Sequence, residues 1–378
     1  MKITLKNTPE QVELIKAMAS RNRDVAYEAQ TALAEFIGPV LAEVINQAPA
    51  LSNLFTTLQY NADDNPSIPL DLYFDVSDED YVQVYSQSRA GGLPTSEVLP
   101  TSAELKVATY SLDSAVSFDR RYAAKSRMDV VAKTMTRVAQ EILLKQNTIS
   151  ANVVMKALDA ASTNGLTHVI KSAADGRFGL ADLNALMTRS KRIVTSFVGG
   201  TPDARQGRGV TDIIVSPEIV EELRSIAYNP INTKGAPQAD IGSTAVDGVR
   251  PTPVQTADVI AQQAYSAAGA PEFYGINVIE LNEFGKGQKF NALFTGTNYD
   301  GSADFTASTD DLVLGIDRSR ESLIRPVAVD SENGGEFNLI ADDQYSIRQN
   351  KIGYFGSLEE GRIVLDDRAL VGCVVENF

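Results

Sequence analysis

The chain has 378 residues, 43% of them hydrophobic and 22% charged, and a net charge of −15. This is globular composition, which excludes a disordered chain. The acidic balance also excludes a sequence-wide basic coat for nucleic acid. A single cysteine, Cys373, and a single histidine, His168, exclude an intramolecular disulfide and any metal site built from several Cys and His ligands.

At roughly 100–200 residues per domain, the length predicts two or three domains. No run approaches the roughly 18–20 apolar residues of a membrane helix. The start, Met1-Lys2-Ile3-Thr4-Leu5-Lys6, lacks the apolar block of a signal peptide. The expectation is a soluble chain that does not depend on oxidation.

In chain order, Thr8-Pro9-Glu10-Gln11 reads as a helix start, with a cap, a first-turn proline and a capping box. That run is expected to end near Gly38-Pro39. A second short helix follows to about Gln47, and Ala48-Pro49 breaks it.

Residues 61–118 change character. Leu70, Leu72, Phe74 and Val76 alternate with Asp71, Tyr73, Asp75 and Ser77, a period of two. Gly91-Gly92-Leu93-Pro94 is a turn signal. A second extended run places Lys106, Ala108, Tyr110 and Leu112 on one face, and Leu105 and Val107 on the other. The segment reads as a long two-stranded ribbon. It carries ten acids and two bases, Arg89 and Lys106, and is net −8.

From Asp119 to Ala160 there is no Gly and no Pro. Met128, Val131, Met135, Val138 and Ile142 mark one helical face, which resumes at Ile149 and Val153 after a polar step at Gln146. The expectation is one rod of 42 residues, net +4 in charge.

Residues 161–335 alternate helix and strand. Leu183, Leu186, Met187, Ile193, Val194 and Phe197 make an amphipathic helix, and Gly199-Gly200 to Gly207-Arg208-Gly209 is a loop. Asp212–Val215 is a short buried strand that feeds a helix capped by Ser216-Pro217-Glu218. Residues 229–271 read as a long surface excursion. Phe273–Leu281, Leu312–Ile316 and the tail from Ser346 to Val375 read as strands.

No catalytic constellation stands out. His168 sits beside Val169 and Ile170 and reads as a packed or surface histidine without a catalytic role, and Cys373 reads as an inert buried thiol in an apolar strand. The acids from Asp75 to Asp80 are dense enough to suggest Ca²⁺. They lack the sixth-position Gly and terminal Glu of an EF-hand, so a solvated face is the better reading. Gly285-Lys286-Gly287 and Gly207-Arg208-Gly209 are only fragments of phosphate-loop patterns. No cofactor, metal site or enzyme activity is expected.

The architectural signal is stronger. A two-stranded ribbon alone is marginally stable and needs another surface, and the basic rod of a neighbouring copy would supply one. Such a heterologous contact builds rings and closed shells. In its order of elements the chain resembles the major capsid proteins of tailed bacteriophages. Their shell fold is shared with encapsulins and with the herpesvirus capsid floor.

The resemblance implies an α+β chain divided in four. An N-terminal helical arm would occupy 1–60 and an extended β-hairpin loop 61–118, with its tip at Gly91, Gly92, Leu93 and Pro94. A peripheral domain with a spine helix would comprise 119–171 and 336–378, and an axial α/β domain 172–335. The axial loop with Gly199, Gly200, Gly207, Arg208 and Gly209 would line the centre of each ring.

Subunit contacts would join Asp75, Asp78, Glu79 and Asp80 of one copy to Arg120, Arg121, Lys125 and Arg127 of the next, with Arg89 also at the interface. The implied role is a self-assembling virion shell of hexamers and pentamers. It would enclose double-stranded DNA without reading its sequence and form in the host cytoplasm with separate scaffolding, portal and decoration proteins. Only about 60 residues precede the loop, which argues against a large cleaved N-terminal segment. Three other readings stand beside this one: an encapsulin-like compartment, a carboxylate- or Mg²⁺-dependent hydrolase, and a decoration protein bound to a preformed shell.

Overall fold

In a computed structural model of the chain, the residues described are 8–46, 50–61, 66–69, 104–125, 128–163, 168–193, 209–228, 272–273, 275–299, 304–329, 336–342 and 349–378. They form an α+β fold in two compact units, each with its own sheet. Among them, no helix is long and apolar enough to cross a membrane.

The first unit opens with α1 (Pro9–Met18) and α2 (Arg23–Asn46). Thr8 caps α1 as expected, with its Oγ1 accepting from Gln11 N–H at 3.4 Å. The rest of the N-terminal expectation needs correction. The break comes at Ala19–Asn22, where the Asn22 side chain accepts from Asp24 N–H at 3.2 Å and starts a new helix. α2 then runs straight through Gly38-Pro39. Proline costs a helix one hydrogen bond, but Ala34, Ile37, Gly38 and Leu41 are all buried on the opposite face of α2 and hold it in place. Ile15, Met18, Leu33, Ile37, Leu41 and Ile45 enter the main core, so residues 9–46 are a packed layer and not an arm.

The strands of this unit are β1 (Thr56–Asn61), β2 (Ser67–Pro69), β3 (Glu104–Lys106), β4 (Thr109–Asp119), β10 (Leu323–Val329), β11 (Asn338–Asp342) and β12 (Lys351–Gly361). Between β4 and β10 the chain passes through α3 (Arg120–Ala124), α4 (Met128–Thr163), β5 (Val169–Lys171), α5 (Leu180–Ile193), β6 (Asp212–Val215), α6 (Pro217–Tyr228), β7 (Glu272–Phe273), β8 (Ile276–Glu280) and β9 (Asp311–Ile316). After β12 come β13 (Ile363–Val364) and β14 (Leu370–Val375).

The first sheet is organised by β12. β4 pairs with it along its whole length, from Lys351↔Asp119 to Gly361↔Thr109. On the other edge, β11 pairs with Gly353–Ser357, and β10 meets it at Val327↔Glu360. β1 lies parallel to β10 and ends the order. Alternate residues of β12 and β4 point inward. Ile352, Tyr354, Leu358, Leu112 and Phe118 therefore face α1, α2 and the first part of α4, which contributes Val131, Met135, Val138 and Ile142.

The second unit holds the sheet β5-β14-β9-β6-β8-β7. β6, β9 and β14 are buried at every residue, which is why they read as continuous apolar runs and not as alternating ones. α5 and α6 cover one face through Leu183, Leu186, Ile219, Val220 and Leu223. Gly372 on β14 brings its backbone against Leu158 of α4. The run 273–281 is two strands, because Gly275 turns at φ 76°.

Three further expectations are corrected. The rod is not continuous from 119: α3 is separate, and α4 starts at Met128 and has 36 residues. Lys125 leaves helical ψ (φ −92°, ψ 8°), and its N–H closes on Ala123 O and Arg121 O. α4 therefore carries four bases and three acids, so most of the expected positive charge lies before it. Second, residues 109–118 are no free ribbon: together with Asp119 they are a full-length partner of β12. Third, β10 belongs to the first sheet and β14 to the second, where its antiparallel pairing with β9 and parallel pairing with β5 fix it. The sequence division at 335/336 therefore does not separate the two units.

Candidate assembly surface

β2 and β3 form the stem from which the acidic excursion departs. Ser67↔Lys106, Ile68↔Leu105 and Pro69↔Glu104 pair antiparallel, and Val107 N–H donates to Pro66 O at 3.1 Å. Buried Ile68 and Val107 anchor this stem. β3 is extended where the second run was expected, while the first alternating run, 70–77, lies outside the described residues. Residues 70–103 lie outside the described residues, and with them Asp75, Asp78, Glu79, Asp80, Arg89 and the tip Gly91, Gly92, Leu93 and Pro94. Arg127 also lies outside them, as do Gly199, Gly200, Gly207 and Arg208 of the expected ring-centre loop. Gly209 is described: it is buried at φ 79° against the Lys191 side chain.

The cations expected to receive the acids sit on and just beyond α3. Asp119 ends β4 and caps α3, accepting from Arg121 N–H at 2.9 Å. Arg120 N–H donates to Asn350 O at 3.3 Å, which ties the same corner to the start of β12. Ala123 is buried, so Arg121, Tyr122 and Lys125 are turned outward and exposed. Among the described residues Arg120, Arg121 and Lys125 make no ion pair.

Apolar surface is also left uncovered. Phe36, on the outer side of α2, is 55% exposed, and Val40 follows one turn later. Ile340 on β11 and its partner Phe355 on β12 are both exposed on one sheet face. β1 is exposed at five of its six residues, including Leu58.

Inside the first unit lies a charged junction that sequence reasoning missed. Glu360 is fully buried. It accepts from Arg325 Nε at 2.6 Å, Gln146 Nε2 at 3.0 Å, Tyr110 Oη at 2.8 Å and Arg362 Nη2 at 3.1 Å. Arg362 also donates to Ser52 O at 3.1 Å and lies over the Phe55 ring at 5.1 Å, while Arg325 donates to Asn46 Oδ1 at 3.2 Å. Burial alone would push the Glu360 carboxyl up. The guanidinium groups of Arg362 and Arg325, with the bonds from Arg325 and Tyr110, outweigh it and hold the group below the usual glutamate range. One signal was present: Gln146 is the polar step in the apolar stripe of α4, and it bonds this carboxylate.

The second unit buries Asp311 at the start of α6. The carboxylate accepts from Ser216 Oγ, from Asn291 Nδ2 at 2.9 Å and from Leu312 N–H at 2.8 Å. Burial still raises its pKa above the usual aspartate range. Cys373 is fully buried, as read from the sequence, and of the two readings left for His168, packed or surface, the structure shows the packed one. His168 Nδ1 bonds Leu370 O at 3.0 Å, and burial, with Asp182 nearby, pushes the Cys373 thiol far up. These are packing groups. Among the described residues, no three His, Cys, Asp or Glu side chains converge as metal ligands.

No protein-family model matches the chain, and no curated protein matches it in sequence. Among solved structures it is similar to that of Microbacterium phage Oxtober96, at 14% identity over 86% of this chain and 90% of that one, with a TM-score of 0.46. It is similar to the capsid of an empty GTA particle at 10% identity over 87% and 91%, also with a TM-score of 0.46. It is similar to the virus-like particle of Pyrococcus furiosus at 12% identity over 93% and 99%, with a TM-score of 0.42.

Proposed function

We propose that this chain is a shell-forming capsid protein whose copies join into hexamers and pentamers around double-stranded DNA. One observation carries the reading. A three-pair stem launches a strongly acidic excursion, while exposed Arg121 and Lys125 beside β4 find no carboxylate among the described residues. Exposed cations without a carboxylate of their own, in a chain whose sequence holds a dense run of acids, can find their countercharge on another copy. Exposed pairs contribute only about 0–1 kcal/mol each, so they set register and partner choice more than affinity. The uncovered apolar residues of α2, β11 and β12 provide the non-directional attraction.

In this reading the protein's work is assembly. The acidic balance of the whole chain keeps packaged phosphate from adhering to the wall. Scaffolding, portal and decoration proteins would be separate chains, and the completed shell would be the virion wall, built in the host cytoplasm.

The test is sedimentation velocity and negative-stain microscopy of the purified chain over a range of salt and protein concentrations. Closed particles or rings whose yield changes with salt are expected. A chain that stays monomeric under all conditions overturns the proposal. Nuclease-protected DNA inside particles recovered from infected cells supports the container role, and particles filled with protein cargo overturn it.

A further inference from the structure

β1 is the open end of the first sheet. Among the described residues it pairs only with β10, and none of them pairs with its other edge. Such an edge is a template for another strand. Its two faces differ. Leu58 and Tyr60 lie on one, where Tyr60 Oη donates to Glu359 at 3.2 Å. Thr57, Gln59 and Asn61 lie on the other. There Glu336 is held beside the edge by Gln59 Nε2 at 3.4 Å and Asn46 Nδ2 at 3.1 Å.

One segment of the same sequence has the complementary pattern. Lys2-Ile3-Thr4-Leu5-Lys6 alternates basic or polar residues with apolar ones, a period of two. It ends just before Thr8-Pro9, which caps and opens α1. Lys2–Asn7 supplies six residues, the same number as β1.

We infer that residues 2–6 of a second copy add to the free edge of β1 as a further strand. With Thr4 opposite Gln59, Ile3 and Leu5 lie on the Leu58–Tyr60 face and cover it. Lys2 and Lys6 then lie on the Gln59 face and flank the Glu336 carboxylate. A slip of one residue would put both lysines on the Leu58 face and both apolar residues against Glu336, so the pattern fixes the register. This deepens the assembly reading and rests on it only for the presence of a second copy. A strand given by one copy and received by the next is a head-to-tail contact, the kind that closes rings.

Two single variants of the full chain test it, Thr4→Cys and Gln59→Cys. The native Cys373 is buried and silent. A disulfide-linked dimer should form on oxidation only when the two variants are mixed, and an excess of a synthetic peptide of residues 1–8 should suppress it. Absence of the mixed dimer, with an internal crosslink in the chain that carries both substitutions, means that the segment docks on its own chain and overturns the proposal. If the protein proves monomeric, fluorescence anisotropy of the labelled peptide decides the edge independently of the shell. Binding to wild type, weakened about fivefold by Glu336→Lys at low salt, sustains it, and no binding overturns it.

Discussion

The Arg325 guanidinium donates to the Glu360 carboxylate at 2.6 Å from the adjoining strand, and both side chains are buried. With Arg362 the junction holds two cations around one anion. It ties together the end of α2, the Ser52 turn, β4, α4, β10 and β12. Replacing the carboxylate leaves two guanidinium groups buried without a countercharge. Glu360→Gln is expected to cost about 3–5 kcal/mol, read from urea unfolding of the first unit. An unchanged midpoint would mean that the arginines relax outward.

The same carboxylate gives a pH dependence of definite sign. Its folded-state pKa is depressed, so its contribution is complete above the usual glutamate range of about 4.3 and is lost as pH falls through the lower folded value. Acid below about pH 4 should loosen the first unit in wild type, and Glu360→Gln should remove that part of the slope. Thermal melts of both proteins across the acid range measure it.

Asp311 has the opposite sign. Its folded pKa is raised, so the second unit binds an extra proton between the usual aspartate value and the raised one, and its stability falls as pH rises through that window. Asp311→Asn keeps an acceptor for Leu312 N–H and cannot ionise. Calorimetric melts should therefore show a flatter pH dependence for Asp311→Asn than for wild type. Equal slopes would place the titration elsewhere.

Gly356 lies mid-strand on β12, and a Cβ there would collide with the tip of the Phe337 ring, with Cε2 at 3.1 Å and Cε1 at 3.2 Å. Phe337 is buried in the main core and cannot swing free. Gly356→Ala is expected to cost about 1–3 kcal/mol by overpacking. Adding Phe337→Leu should restore part of that loss, so the double variant should be less destabilised than the sum of the two singles. Strict additivity would refute the contact as the cause.

Much of this fold is local enough to be legible in the sequence. The Thr8 cap, the strand Asp212–Val215 running into Ser216-Pro217, the helix around Leu183 and the apolar strand with Cys373 all announce themselves by spacing. What failed was decided by tertiary partners. Pro39 stays helical because the opposite face of α2 is buried, and the rod breaks after Lys125 with no Gly or Pro nearby. β14 joins the second sheet through pairing with β9 and β5, which no local pattern encodes. The Glu360 junction was hidden for the same reason, since Gln146 shows as one odd polar residue until Glu360, 214 positions later, lies beside it. For the assembly surface, the ribbon read over 61–118 contains the stem but took in 109–118 as well, because a paired strand and a free ribbon have the same period of two.

The exposed cations on and beside α3 give the last prediction. Arg121 and Lys125 are exposed and make no ion pair among the described residues, so reversing them should leave the monomer's stability within about 0.5 kcal/mol. Assembly should respond differently. Arg121→Glu with Lys125→Glu replaces attraction to the acidic excursion by repulsion, and the threshold concentration for particles should rise by about fivefold or more at low salt. High salt should shrink the difference, because exposed charges are screened within about 8–10 Å near physiological ionic strength. Asp78→Lys with Glu79→Lys in the same chain reverses the other side and should recover part of the loss. Light scattering of the wild-type, reversed and doubly reversed proteins reads all three. If the double reversal restores nothing while the folded monomers melt alike, the acids at 78 and 79 do not meet these cations, and the contact must be sought from another part of the excursion.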